Sequence, residues 1–169
     1  MNPLLLSKSN EWYTPAYIVN MARDVLGEIT LDPASSKEAN EIVRAKHFFS
    51  EGALERSWEI EKPLNIFLNP PGGRNSAFLF WEKLLSTDFD HAIFIGFNIE
   101  ILRTSQKSKL LSVGEFPICI PSKRIEFLNP DNPAFSPTHA NVIAYVPRRV
   151  NRTDEFHKAF FMEGVILNG

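Results

Sequence analysis

The 169-residue sequence predicts an α/β fold in which helices flank a sheet that contains parallel strand pairs. Short apolar segments rich in β-branched residues alternate along the chain with segments whose apolar residues recur at helical spacing. No internal repeat, low-complexity segment or long linker interrupts this alternation, so residues 1–169 are expected to form one domain. Ligands bind such sheets beyond the carboxyl ends of the strands, and the functional residues are expected there.

The first part of the chain predicts helices and strands in alternation. Thr14 is the expected N-cap of the first helix, Pro15 takes its first helical position and Gly27 ends it. The inward face of this helix consists of Ile18, Val19, Ala22, Val25 and Leu26. Helices are predicted over residues 15–26, 36–49 and 76–85. Strands are predicted over residues 29–32, 65–68 and 91–97.

The rest of the chain continues the pattern. Helices are predicted over residues 99–111 and 154–162, and strands over residues 116–120 and 141–146. Residues 124–127 are a further strand candidate. No apolar run approaches the roughly 20 residues that cross a bilayer, and no signal peptide is recognisable, so a soluble, cytosolic protein without a membrane partner is expected.

Charge and cysteine content exclude several classes of function. Cys119 is the single cysteine, which excludes an internal disulfide and a cysteine zinc cluster, and the four histidines show no metal-ligand spacing. The net charge of −2 argues against binding nucleic acid by bulk electrostatics. Residues 1–100 carry nine basic and fourteen acidic side chains, however, whereas residues 101–169 carry nine and six. Contact with a polyanion is therefore expected mainly in the second part.

The segment Asn69-Pro70-Pro71-Gly72-Gly73 follows a predicted strand and could carry chemistry. Two successive prolines fix φ and remove two backbone donors, which leaves the oxygens of Asn69 and Pro70 as rigid acceptors. Rigid acceptors suit a planar exocyclic amine, whose two hydrogens they can bind while its lone pair is aimed at a methyl donor. The alternative is a simple strand-ending turn.

Three motifs in order resemble those of amino-methyltransferases that act on DNA. They are Glu11-Trp12-Tyr13-Thr14-Pro15 before a helix, Leu31-Asp32-Pro33-Ala34-Ser35 after a strand, and the Asn-Pro-Pro turn. The sequence is similar to the phage Dam-type DNA N-6-adenine methyltransferase family over about residues 11–146. Further similarity lies at Ala39-Asn40, Ala45, Phe49, Leu54, Trp58, Phe80-Trp81 and residues 119–127.

The resemblance implies a shortened Rossmann-like methyltransferase sheet with flanking helices, and S-adenosylmethionine as cofactor. The residues implied in cofactor binding are Tyr13, Thr14, Pro15, Asp32, Pro33, Ala34 and Ser35. The residues implied in catalysis are Asn69, Pro70, Pro71 and Gly72. Small residues let the backbone approach a ligand. On the residues alone, Asp32 or Ser35 could instead cap the second helix.

Two departures from the family pattern concern the acceptor and the ribose. Gly72 stands where the family has an aromatic residue that stacks on an extruded base. Phe78, Phe80 or Trp81 on the next helix could substitute, or each could be a core aromatic. The cofactor loop also lacks the usual glycines. The acidic residue that holds the ribose is then unassigned, with Glu51 as a candidate.

Arg124, Arg148 and Arg149 are candidate phosphate contacts beside the site, with ordinary solvated charge as the alternative. The expected function is methyl transfer from S-adenosylmethionine to the exocyclic amine of adenine in DNA. Two alternatives remain open. One is a non-catalytic nucleic-acid or partner-binding protein of the same fold, and the other is the same chemistry on cytosine or a protein amide.

Overall fold

The computed structural model describes residues 12–73, 75–102, 115–129 and 139–167. The helices are α1 Ala16–Leu26, α2 Lys37–Val43, α3 Ser76–Ser86 and α4 Thr153–Phe160, with a 3-10 helix at Ile99–Leu102. The strands are β1 Leu31–Asp32, β2 His47–Phe48, β3 Asn65–Leu68, β4 His91–Gly96, β5 Ile118–Pro121, β6 Val142–Pro147 and β7 Gly164–Leu167. No helix within these ranges is long and apolar enough to cross a membrane.

The strands form one mixed sheet in the order β2-β1-β3-β4-β6-β5-β7. The first four strands in this order are parallel, whereas β6 is antiparallel to both β4 and β5, and β7 is antiparallel to β5. The predicted α/β class with parallel pairs is thus confirmed, and the architecture is compatible with a Rossmann-like fold. The carboxyl ends of β1, β3 and β4 lie together at one edge of the sheet, the carboxyl edge.

The core lies in two layers, one on each face of the sheet. Because successive strand residues point to opposite faces, Phe67 packs in one layer while Ile66 and Leu68 pack in the other. α1 and α4 cover the first face, and α3 covers the second. Helices on both faces leave the carboxyl edge as the exposed end of the sheet, where loops can form a cavity.

Two helix predictions require correction in the first part of the chain. α1 begins at Ala16, with Pro15 as an extended N-cap, so Thr14 does not cap the helix. The predicted second helix ends at Val43 instead of continuing to residue 49. The Asn40 side chain donates to the Ala45 carbonyl and accepts from the Ala45 N–H. Arg44 between them has the left-handed conformation, so the chain turns here. The chain then forms the edge strand β2, which the sequence did not predict.

The second part of the chain differs from the prediction at three places. Residues 124–127 form no strand, although Ile125 and Phe127 are buried, and the backbone of Leu128 pairs with Tyr13 instead. The predicted helix over 99–111 begins as a short 3-10 helix, and its residues 103–111 lie outside the described ranges. Strand β7 was not predicted. The remaining elements agree with the prediction to within a few residues.

Candidate functional site

A cavity of about 310 Å³ opens at the carboxyl edge, beside the ends of β1 and β3. This first cavity contains most of the residues that the sequence proposed for the site. They are Tyr13, Thr14, Asp32, Pro33, Ala34, Ser35, Asn69, Pro70 and Pro71. Leu31 of β1 pairs with Ile66 of β3, so the segments that follow the two strands meet at one level. Pro15 and Gly72 do not line the first cavity.

Asn69 is the best-defined polar group of the first cavity. Its Nδ2 donates to the Trp12 carbonyl at 3.0 Å and to Thr14 Oγ1 at 3.2 Å. Since a backbone carbonyl only accepts, the contact with Trp12 fixes which end of the amide carries the hydrogens. The Asn69 Oδ1 atom is buried and has no hydrogen-bond partner among the described residues. A buried oxygen without a donor costs about 1–3 kcal/mol, which a ligand that donates there would recover.

Thr14 therefore has a different role from the predicted helix cap. Its hydroxyl holds the Asn69 amide, and the side chain is 3% exposed. The backbone bridge between Tyr13 and Leu128, with N–H···O distances of 2.8 and 2.9 Å, anchors the Thr14 segment from the other side. The orientation of Asn69 thus depends on residues more than fifty positions away in the sequence.

Asp32 is a buried carboxyl group on the wall of the first cavity. Burial raises the pKa of Asp32 to about 7, although hydrogen bonds from the Ala34 N–H and the Ser35 hydroxyl oppose the rise. Ser36, not Asp32 or Ser35, caps α2 by accepting from the Ala39 N–H. The capping alternative for Asp32 and Ser35 is therefore wrong. A cationic ligand in the cavity would favour the ionised form of Asp32.

One wall of the first cavity consists of consecutive residues that the sequence did not identify as a unit. Residues 50–55 all line it, together with Phe49. The buried Trp58 ring donates from Nε1 to the Ala53 carbonyl at 2.8 Å and so anchors this loop. Glu51, the ribose candidate, lies on this wall. The sequence signals for this loop were the family similarity at Leu54 and Trp58.

A second cavity of about 260 Å³ lies on the other side of the proline turn. Its lining residues are Pro70, Pro71, Gly72, Gly73, Ala77, Ile95, Phe97 and His139. Pro70 and Pro71 line both cavities, so the turn forms a wall between them. A donor bound in the first cavity and an acceptor bound in the second would thus meet at the Asn69-Pro70-Pro71 turn.

The aromatic residues suggested as substitutes at Gly72 lie elsewhere. Phe80 lines the first cavity and packs against Trp58, and Trp81 packs in the core against Phe94. Phe78 is half-buried and lines neither cavity. All three belong to α3, whose inward face is needed for the core. Among the described residues, Phe97 is the phenylalanine that lines the second cavity, and it directly follows β4.

The structure separates the three arginines that were predicted to contact phosphates. Arg124 is exposed and follows β5, which runs parallel to β4, so it lies near the carboxyl edge. Arg148 and Arg149 follow β6 at the level of His91, which places them at the opposite edge. The four residues of β3 already span about 13 Å between the two edges. Arg148 and Arg149 therefore do not lie beside the site, and that part of the prediction is wrong.

Arg148 instead joins elements of the fold. Its guanidinium donates to the carbonyls of Leu85 and Thr87 at 2.9 and 3.2 Å and lies 5.0 Å from the centre of the Phe89 ring. We expect Arg148→Ala to lower the free energy of unfolding by about 1–2 kcal/mol, because these contacts fasten the end of α3 to the β6 turn. Denaturant unfolding measures this loss. A selective loss of DNA affinity without loss of stability would contradict this structural role.

Comparison with known proteins gives no match to any family model and no match to a curated protein. The described residues contain no group of three or more His, Cys, Asp or Glu side chains that could hold a metal ion.

Proposed function

We propose that this protein is an S-adenosylmethionine-dependent methyltransferase that modifies the exocyclic amine of adenine in DNA. The observation that carries the proposal is the buried Asn69 Oδ1, which has no partner among the described residues. Asn69 lines the first cavity and directly precedes Pro70 and Pro71, which line both cavities. An amino group that donates to this oxygen satisfies it and is held in a fixed orientation. Asn69 cannot rotate freely because Trp12 and Thr14 bind its other end.

The charge of the first cavity supports a cationic ligand. Asp32, Glu51 and Glu55 line it, and none of the described lining residues is a lysine or an arginine. Phosphate groups are usually bound by cationic side chains or clustered backbone donors, so a nucleotide with several phosphates fits poorly. S-adenosylmethionine carries a sulfonium, an ammonium and one carboxylate, so its net charge is positive, and it has no phosphate. Its size suits a cavity of this volume, at the small end of ligand pockets.

The residues around the turn have separate roles in methyl transfer. Asn69 Oδ1 and the Pro70 carbonyl accept the two amine hydrogens, which aims the nitrogen lone pair at the donor side of the turn. When bound, the cofactor supplies a methyl group on a sulfonium, and the sulfur leaves as a neutral thioether once the methyl group is transferred. Asn69 is neutral and serves as acceptor and orienting group, so the amine proton is released to water after transfer. Asp32 balances the positive charge of the donor.

Two features support DNA as the macromolecular substrate. Arg124 is an exposed cation near the carboxyl edge, where it can contact a phosphate beside the site. The excess of basic residues in the part of the chain after residue 100 includes this segment.

Gly72, in place of a stacking aromatic, favours the second candidate, a non-catalytic binding protein of the same fold.

Calorimetry distinguishes these candidates in two steps. The proposal predicts that S-adenosylmethionine binds and that ATP, which has the same nucleoside but carries phosphates, binds far more weakly. Transfer of tritiated methyl groups to unmethylated genomic DNA then separates the enzyme from the binding protein. Absence of cofactor binding at millimolar concentration would refute the methyltransferase proposal, and binding without transfer to DNA would favour the non-catalytic candidate.

A further inference from the structure

Phe97 is held as a fixed aromatic surface in the second cavity. It follows the last residue of β4, and one face of its ring stacks on Phe127 with centroids 5.3 Å apart and an interplanar angle of 22°. The centroid of the Trp12 ring lies 6.0 Å from that of Phe97, with an interplanar angle of 57°. Phe127 is 3% exposed, so the support behind Phe97 belongs to the core. Phe97 also lines the second cavity, together with Pro70 and Pro71.

The rest of the second cavity leaves room for a flat group against this ring. Gly72, Gly73 and Ala77 contribute little side-chain volume to its wall. The remaining wall is formed by the proline turn, Ile95 and the exposed His139. No acidic or basic side chain other than His139 lines this cavity among the described residues. An apolar pocket with one fixed aromatic ring suits a planar aromatic group.

We infer that Phe97 stacks on the acceptor base and thereby selects a nucleobase over the aliphatic amide of a protein side chain. This inference rests on the proposed function. An extruded base loses stacking in the duplex, and an aromatic side chain compensates for part of that loss. Phe97 lines the second cavity together with Pro70 and Pro71, and Asn69 directly precedes these two prolines, so a base stacked on Phe97 lies beside the turn that carries the Asn69 oxygen. Gly72, which has no side chain, lines the same cavity.

Phe97→Leu tests the inference because leucine keeps an apolar side chain but removes the ring face. We expect kcat/KM for unmethylated genomic DNA to fall about 5- to 100-fold, the range of one lost base-stacking contact. The affinity for S-adenosylmethionine, measured by calorimetry, is expected to stay within about twofold because Phe97 does not line the first cavity. Phe97→Tyr restores the ring and should recover most of the activity.

Phe78→Leu is the matched control, since Phe78 is half-buried and lines neither cavity. Thermal unfolding of each variant separates a folding defect from a binding defect. Transfer by the unaltered protein together with unchanged kinetics of Phe97→Leu would overturn the stacking role alone. An equal loss in the leucine and tyrosine variants would also overturn it. Absence of transfer by the unaltered protein would overturn the proposed function and this inference with it.

Discussion

Asn69→Ala is expected to reduce methyl transfer by at least about a thousandfold, because the variant loses the acceptor that orients the amine in the transition state. Cofactor binding should change by less than about tenfold, since the first cavity keeps its charged and apolar lining. Single-turnover transfer of tritiated methyl groups and calorimetric titration measure the two quantities. Equal losses of transfer and of cofactor binding would contradict the role assigned to Asn69.

Asn65→Ala is the matched control for this experiment. Asn65 is a buried asparagine at the start of β3, the strand that Asn69 follows, and its Nδ2 donates to the carbonyls of Leu26 and Glu28 at 3.1 and 3.0 Å. It lies at the opposite edge of the sheet and lines neither cavity. We expect this variant to lose about 1–3 kcal/mol of folding free energy and to retain methyl transfer while folded.

Asp32→Asn is expected to weaken S-adenosylmethionine binding about 10- to 100-fold, because a buried anion that balances the cationic ligand is removed. The same substitution should stabilise the unliganded protein. Burial raises the pKa of Asp32 from 3.8 to about 7, so ionising this carboxyl group destabilises the folded state. Near pH 8 we expect the free energy of unfolding to rise by about 1–4 kcal/mol in the variant. The amide introduced by the substitution retains an oxygen that can accept from the Ala34 N–H.

The pH dependence follows from the same shift. Between about pH 4 and pH 7 the folded protein holds a proton on Asp32 that the unfolded chain has lost, so the stability of the unliganded protein falls as pH rises. A cationic ligand favours the carboxylate, so cofactor affinity should rise from about pH 6 to pH 8 in the unaltered protein. This rise should be absent in Asp32→Asn. A rise of the same size in the variant would contradict the role of Asp32.

Asp90→Asn controls for the loss of a carboxylate elsewhere. Asp90 is half-buried, accepts from the Leu64 N–H at 2.7 Å and lies at the edge opposite the site. We expect cofactor affinity and its pH dependence to be unchanged in this variant, measured by the same calorimetric titrations.

Local sequence signals located the two segments that directly follow strands, and the resemblance to methyltransferases implied that both belong to a site. The Asn69 turn and the Asp32 loop could be located because each comes after a short apolar segment and begins with a proline pattern that ends the strand. Parallel pairing then brings both to one edge of the sheet. The inward face of α1 was likewise readable from residue spacing, and its five predicted residues are all buried in the core.

The missing parts depend on contacts between distant residues. The attachment of Asn69 to Trp12 and Thr14 joins segments that no local pattern relates. The end of α2 depends on the hydrogen bonds between Asn40 and Ala45, which favour a turn over a helix that spacing alone would extend. The locations of Arg148 and Phe97 could not be assigned from the sequence. They depend on the direction of β4 and β6 in the sheet, which decides the edge at which each strand ends.

Mass spectrometry of nucleosides tests the central claim most directly. Unmethylated DNA is incubated with the protein and S-adenosylmethionine whose methyl group is deuterated, and the digested nucleosides are analysed. The proposed function predicts deuterated methyl on the exocyclic nitrogen of adenine, with none when Asn69→Ala replaces the unaltered protein. Cofactor bound to the protein, with no label on any base, would contradict the claim that the Asn69 oxygen presents an amine to the donor.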